Sequence, residues 1–205
     1  MWESMWSWFD KGGAVMYPIA LCAVLAATVF FERMWSLRRE RIIPVRLIKA
    51  VDNLVREQKF SEAGVLCEQD RSAVSVVLLT GLRHVGKTRD IVKERMEETG
   101  KSVAADLERF VNVLGTVAAV SPLLGLLGTV TGMIDVFQKV TSQGVGDPRY
   151  LASGIWEALI TTAAGLIVAI PTYVIYRYFL SRVDRFILEM EEAALDLAEA
   201  VGREG

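Results

Sequence analysis

The stretch that most restricts what this chain can fold into is Ser121 to Gly132, S-P-L-L-G-L-L-G-T-V-T-G, set within 25 uncharged residues from Phe110 to Ile134. A helix of that length crosses the ~30 Å hydrocarbon core of a bilayer. Within it Ser121, Gly125, Gly128 and Gly132 recur at steps of 4, 3 and 4, so one helical stripe carries only small side chains. Such a stripe lets another backbone approach closely, which is how membrane helices associate. Thr129 lies beside the stripe, where its hydroxyl can face a neighbouring helix or a narrow polar path.

Two further charge-free segments, Gly13–Phe31 and Ala158–Tyr176, are 19 residues each and also long enough to span. Together the three explain why 52% of 205 residues are hydrophobic and the mean hydropathy is +0.33, too apolar for an ordinary soluble domain. The expected fold class is an all-α membrane protein with three transmembrane helices, helices 2 and 3 extending into a helical cytoplasmic domain. A net charge of −2 is spread over separate aqueous segments and gives nucleic-acid binding no support. Cys22 falls in the first span and Cys67 in the following polar segment, so they form no disulfide framework.

The expected segments are 1–12, an amphipathic helix lying on the periplasmic membrane surface; 13–34, the first span; 35–109, a cytoplasmic helical domain; 110–137, the second span; 138–153, a periplasmic loop; 154–178, the third span; and 179–205, a cytoplasmic helical tail. The surface helix is read from Trp2, Met5, Trp6 and Phe9 on one face and Glu3, Ser7 and Asp10 on the other. Orientation follows from Arg33, Arg38, Arg39, Arg41, Arg46 and Lys49 just after the first span, against few cations outside it. The positive-inside rule then places the N-terminus in the periplasm and the C-terminus in the cytoplasm.

Residues 35–109 read as helical, with a bend at Pro44, Ser61 capping a helix from Glu62, and Thr88 capping another that carries Asp90 in its first turn. No proline occurs between Arg89 and Pro122, so one helix of about 50 residues, about 75 Å long, is expected to run into the second span. The third span likewise continues into R-F-I-L-E-M-E-E-A-A-L-D-L-A-E-A-V. Gly81-Leu-Arg-His-Val-Gly86-Lys87-Thr88 matches the phosphate-binding pattern G-x-x-x-x-G-K-[ST]. Nucleotide chemistry needs a parallel sheet around that loop, and no other strand is visible. The expectation is a helix from Ser72 to Leu82 followed by a turn. His84, the only histidine, has no partners spaced for a metal, and no nucleophile has a histidine base. No catalytic residue, metal or cofactor is expected.

Polar groups inside the membrane are costly and therefore informative. In the third span Glu157, Thr161, Thr162, Gly165, Ala169 and Thr172 form a face of small and hydroxyl residues. If Asp135 and Glu157 mark the outer ends of the two spans, Thr129 lies about 9 Å and Thr162 about 7.5 Å inward. Each threonine either bonds back to a carbonyl of its own helix or contributes its hydroxyl to a shared polar path at that depth.

S-P-L-L-G-L-L-G-T-V-T-G-M-I followed by G-I-W-E-A-L-I-T-T-A-A-G-L-I-V-A-I-P resembles the ExbB/TolQ family of bacterial inner-membrane proteins, distant relatives of the flagellar stator subunit MotA. The resemblance implies a homopentamer whose second and third spans surround a pore holding two copies of a single-span ExbD/TolR-type partner. Proton motive force would then drive work on a periplasmic or outer-membrane system, with a further periplasmic energy-transducing protein and membrane lipids as additional partners. Residue by residue it implies that Thr129, Thr162 and Glu157 line the proton path. Ser121, Pro122, Gly125, Gly128, Gly132, Gly165 and Pro171 would serve pore-helix packing and bending. A non-conducting membrane scaffold and a P-loop nucleotide-binding protein are the alternatives that the residues leave open.

Overall fold

The computed structural model describes residues 13–143 and 148–202. Among the described residues eight helices follow in order: α1 Met16–Ser36, α2 Arg39–Ile42, α3 Val45–Arg56, α4 Phe60–Gln69, α5 Ala73–Leu82, α6 Arg89–Arg109, α7 Val111–Gln143 and α8 Pro148–Val201. No β-strand occurs among the described residues. The expected surface helix at 1–12 lies outside them.

Three of these helices, α1, α7 and α8, are long and apolar enough to cross a membrane. They expose large apolar side chains such as Leu21, Val24, Leu123, Leu126, Val130, Ile167, Ile170 and Val174. A continuous display of that kind is untenable in water but ordinary against lipid. The protein is therefore an all-α membrane protein with three such helices.

The chain divides into two compact units, one of residues Met1–Phe31 and Asn112–Arg177, the other of Glu32–Val111 and Tyr178–Gly205. In the first, α1 buries Met16, Ile19 and Ala26, spaced to fall on one face. In the second, α4 packs on α3 and α5, and α5 packs on α6. Its core takes Leu47, Val51 and Val55 from α3, Ala63 and Cys67 from α4, Val74, Val77 and Leu78 from α5, Val92 and Met96 from α6, and Phe179, Val183 and Phe186 from α8. These positions recur every three or four residues, which is why charged residues occupy the remaining faces.

Local signals fared unevenly. Pro44 is the N-cap of α3 rather than a bend within a helix, because its ring fixes φ near −68° and removes an amide that a first turn does not use. Ser61 does not cap α4; the helix begins two residues earlier than expected, at Phe60, with Lys59 as its N-cap. Thr88 does occupy the N-cap of α6, without a side-chain cap bond, and Asp90 lies in the first turn. The expected 50-residue helix is interrupted at Phe110. Helix also continues through residues 138–143 and 148–153 of the expected periplasmic loop, because hydropathy falls before helix-forming residues run out.

The phosphate-loop pattern is a helix end and a turn. Ser72 caps α5 by accepting from the Ser75 amide at 3.3 Å, and α5 stands where a nucleotide fold needs a strand. Gly81 is a packing position: a Cβ there would meet Met96 Sδ at 2.5 Å and Leu197 Cδ2 at 3.0 Å. Gly86 adopts φ +83°, a left-handed conformation that closes the turn and favours glycine. Lys87 and Thr88 are exposed, and His84 Nδ1 lies 2.8 Å from the Thr80 carbonyl, so the histidine is held to its own helix rather than simply solvated.

Candidate functional site

The small-residue stripe of α7 meets α8 within the same chain. A Cβ on Gly125 would lie 2.9 Å from Thr162 Cα and 3.0 Å from the Thr161 carbonyl; one on Gly132 would lie 3.2 Å from Ala158 Cβ. One on Gly128 would overlap the Thr161 side chain, its Cβ at 2.5 Å. From the other side, a Cβ on Gly165 would lie 2.5 Å from the Ser121 carbonyl and 3.2 Å from Gly125 Cα. Further along, Gly115 receives the Tyr176 ring, with Cε2 3.0 Å from the position of an added Cβ. Rising numbers on α7 meet falling numbers on α8, so the two helices run antiparallel with glycines wherever backbones touch.

Hydroxyls complete this contact. Thr162 Oγ1 donates to the Gly125 carbonyl at 2.9 Å, a bond from α8 to α7. Thr161 Oγ1 donates to the Ala158 carbonyl of its own helix at 2.7 Å and stands 3.5 Å from the same Gly125 carbonyl. Ser121, fully buried, bonds back to Val117 at 2.8 Å, and Thr172 to Val168 at 2.7 Å. Thr129 bonds back to Leu126 at 2.7 Å. In the antiparallel register Thr162 lies against Gly125, and Thr161 against Gly128, the residue before Thr129. The Thr162 and Thr129 hydroxyls serve different carbonyls, one across helices and one along its own.

Glu157 is half-buried at the same end of the helix pair as Gly132 and Ala158. Its Oε1 would lie 2.8 Å from a Cβ on Gly13, which has φ +63°, so the carboxylate rests against a backbone that only glycine suits. Gly13 precedes the first turn of α1, the positive end of the helix dipole, where a negative charge is favoured. Pro122 is half-buried and Pro171 exposed, each inside a helix where it removes one ladder bond.

Two residues of this contact are absent from the expected site. Thr161 and Ala158 fill the hollows over Gly128 and Gly132, and Ala158, Thr161, Gly165, Ala169 and Thr172 form the buried face of α8. Their 3-4-4-3 spacing is the available sequence signal. Among the described residues no group of three or more His, Cys, Asp or Glu could hold a metal.

Residues 69–192 match the family described as the MotA/TolQ/ExbB proton channel family. The chain is 35% identical over 204 residues to an ExbB-like biopolymer transport protein of Synechocystis, covering 96% of this chain and 75% of that one. It is 26% identical to the biopolymer transport protein ExbB of Pseudomonas putida, covering 93% of this chain and 60% of that one. Among solved structures it is similar to that of C. jejuni MotAB, with a TM-score of 0.60 at 17% identity, over 95% of this chain and 81% of that chain.

Proposed function

The chain belongs to the MotA/TolQ/ExbB proton channel family, and we propose that it forms a pentameric ring in the bacterial inner membrane around an ExbD/TolR-type single-span partner, converting proton motive force into mechanical work. The observation that carries this reading is the α7–α8 pair. It joins two apolar spans through glycine and threonine contacts, and neither uncharged stretch, Phe110–Ile134 or Ala158–Tyr176, contains an ionisable carboxylate, amine or imidazole.

Moving one proton charge through the membrane potential yields about 2.3 kcal/mol per 100 mV. Harvesting it requires a group inside the bilayer that binds and releases a proton near neutral pH. Hydroxyls position a proton but do not hold one, and Glu157 stands at the end of its span. A carboxylate on the partner helix is therefore part of the proposal, with Thr162, Thr129 and Glu157 forming this chain's side of the path. The arginines after α1 support a periplasmic N-terminus and a cytoplasmic second unit. Because the stripe is occupied within the chain, contacts between copies and with the partner fall to the apolar faces that carry Leu123, Leu127, Ile167 and Ile170.

A second reading, a non-conducting scaffold, is favoured by one observation: both threonine hydroxyls already donate to carbonyls. One experiment separates the two. The chain is coexpressed with a single-span partner bearing a membrane carboxylate, the complex is sized by native mass spectrometry, and proton flux is followed in vesicles under an imposed potential. The motor reading expects a ring of about five copies and flux that appears only with the partner. Monomers or dimers in mild detergent, or flux indifferent to the partner, would remove it.

A further inference from the structure

Two ways of holding an arginine recur in the second compact unit. Arg56, Arg83 and Arg95 each meet a carboxylate, of Asp52, Glu68 and Glu98, at 3.0 Å. Arg41, Arg109 and Arg182 meet aromatic side chains instead and make no ion pair among the described residues. Arg41 Cζ stands 5.5 Å from the centroid of the Trp35 ring, and Arg109 Cζ 5.3 Å from that of Phe110. Arg182 Nη1 donates to the Tyr178 hydroxyl at 3.1 Å, and its Cζ stands 5.7 Å from the buried Phe186 ring. Trp35, Phe110 and Tyr178 are exposed, at 61%, 43% and 54%.

These three aromatics share an address in the sequence. Trp35 follows the uncharged stretch Gly13–Phe31 by four residues, Phe110 opens the stretch Phe110–Ile134, and Tyr178 follows Ala158–Tyr176 by two. Each therefore stands where a spanning segment leaves the hydrocarbon, the depth that suits an aromatic ring. Three successive crossings bring these ends to one side of the membrane, the side that the positive-inside rule gives to the cytoplasm. A carboxylate neutralises a guanidinium, whereas a ring face restrains it and leaves its charge and in-plane N–H donors free. The anion of the headgroup layer is phosphate, two of whose oxygens a guanidinium takes in parallel.

We propose that Arg41, Arg109 and Arg182 bind the phosphate groups of anionic glycerolipids in the leaflet that borders the second unit, with Trp35, Phe110 and Tyr178 holding each guanidinium at headgroup depth. A headgroup without a cation of its own, as in phosphatidylglycerol, leaves its phosphate charge to the arginine. The ammonium of phosphatidylcholine competes for that charge, so the sites select by headgroup. Lipid selection of this kind is independent of ring formation and of proton flux.

The test equilibrates the full chain in vesicles of equal parts phosphatidylglycerol and phosphatidylcholine, extracts it in mild detergent, and counts retained lipids per chain by native mass spectrometry. Phosphatidylglycerol should be retained over phosphatidylcholine by about fivefold. Arg41→Gln, Arg109→Gln and Arg182→Gln together should bring the two lipids to parity, and each alone should lower the ratio in part. Trp35→Leu changes no charge but removes the ring beside Arg41, and should lower the ratio about as far as Arg41→Gln does. Replacing Arg56, Arg83 and Arg95 by Gln removes the same charge from carboxylate-paired positions and should leave the ratio unchanged. A diffuse basic field makes the opposite forecast, with Trp35→Leu neutral and the two triple variants falling alike; either result would overturn the proposal, as would wild-type parity. Excess inorganic phosphate should not displace the retained lipid; displacement would make these sites for a free anion and overturn the assignment to lipid. Should the triple variant fail to accumulate, the three single variants decide, and unchanged ratios in all of them would overturn it.

Discussion

Thr162 on α8 donates its hydroxyl proton to the carbonyl of Gly125 on α7 across 2.9 Å. A carbonyl in a helix can accept this second bond because it has two lone pairs, and Gly125 can receive it because no Cβ stands between the helices. The threonine thereby has its proton committed and its oxygen lone pairs available. Such a group can accept from a protonated partner carboxyl but has no free proton to offer.

Thr162→Val keeps the β-branched shape and deletes that hydroxyl. Loss of one neutral hydrogen bond should cost about 1 kcal/mol, so ring assembly should survive. Proton-driven activity in cells at wild-type protein levels should collapse, and Thr162→Ser should restore part of it. Full activity of Thr162→Val would remove Thr162 from the proton path. Thr129→Val should give a weaker version of the same loss, since its bond is to Leu126 of its own helix.

Gly128→Ala places a methyl group where the Thr161 side chain lies, so it should destabilise the α7–α8 pair by about 1–3 kcal/mol. Thr161→Ala vacates that space. Measured by unfolding in detergent, the double variant should be more stable than the two single losses predict, by at least about 0.5 kcal/mol. Additive losses would show that the two residues do not share the contact. The defect should be detectable within one chain, before subunits assemble.

Cys67 is buried in the second unit, and burial, with a smaller contribution from the charge of Asp70, pushes its thiol up to about 11. The folded thiol should therefore resist iodoacetamide at pH 8 while the denatured chain reacts readily, as read by intact mass. Because the folded state holds this proton to a higher pH than the unfolded state, stability should fall as pH rises from about 9 towards 11. Cys67→Ala should abolish that component of the alkaline loss. Rapid native alkylation at Cys67 would show that the site opens.

Lys87 sits exposed in the turn after α5 and makes no ion pair among the described residues. Lys87→Ala should change stability by less than about 0.5 kcal/mol and leave activity intact. Loss of activity with normal assembly would return nucleotide chemistry to consideration.

Hydropathy and small-residue spacing were enough to read three spanning helices, the glycine faces and the helical character of the remainder, because these depend on periodicity along one chain. The same patterns marked Ser121, Gly125, Gly128, Gly132 and Gly165 as places of close approach. What they could not supply was the identity of the approaching surface. A glycine stripe is equally suited to a neighbouring copy and to the chain's own next span, and only the antiparallel register of α7 on α8 paired Gly128 with Thr161 and turned the Thr162 hydroxyl towards Gly125. The lapse at Phe110 was equally invisible, since its residues favour unbroken helix. Local propensity is written in adjacent residues; the partner of a bond or a packed face is a property of the assembled helices.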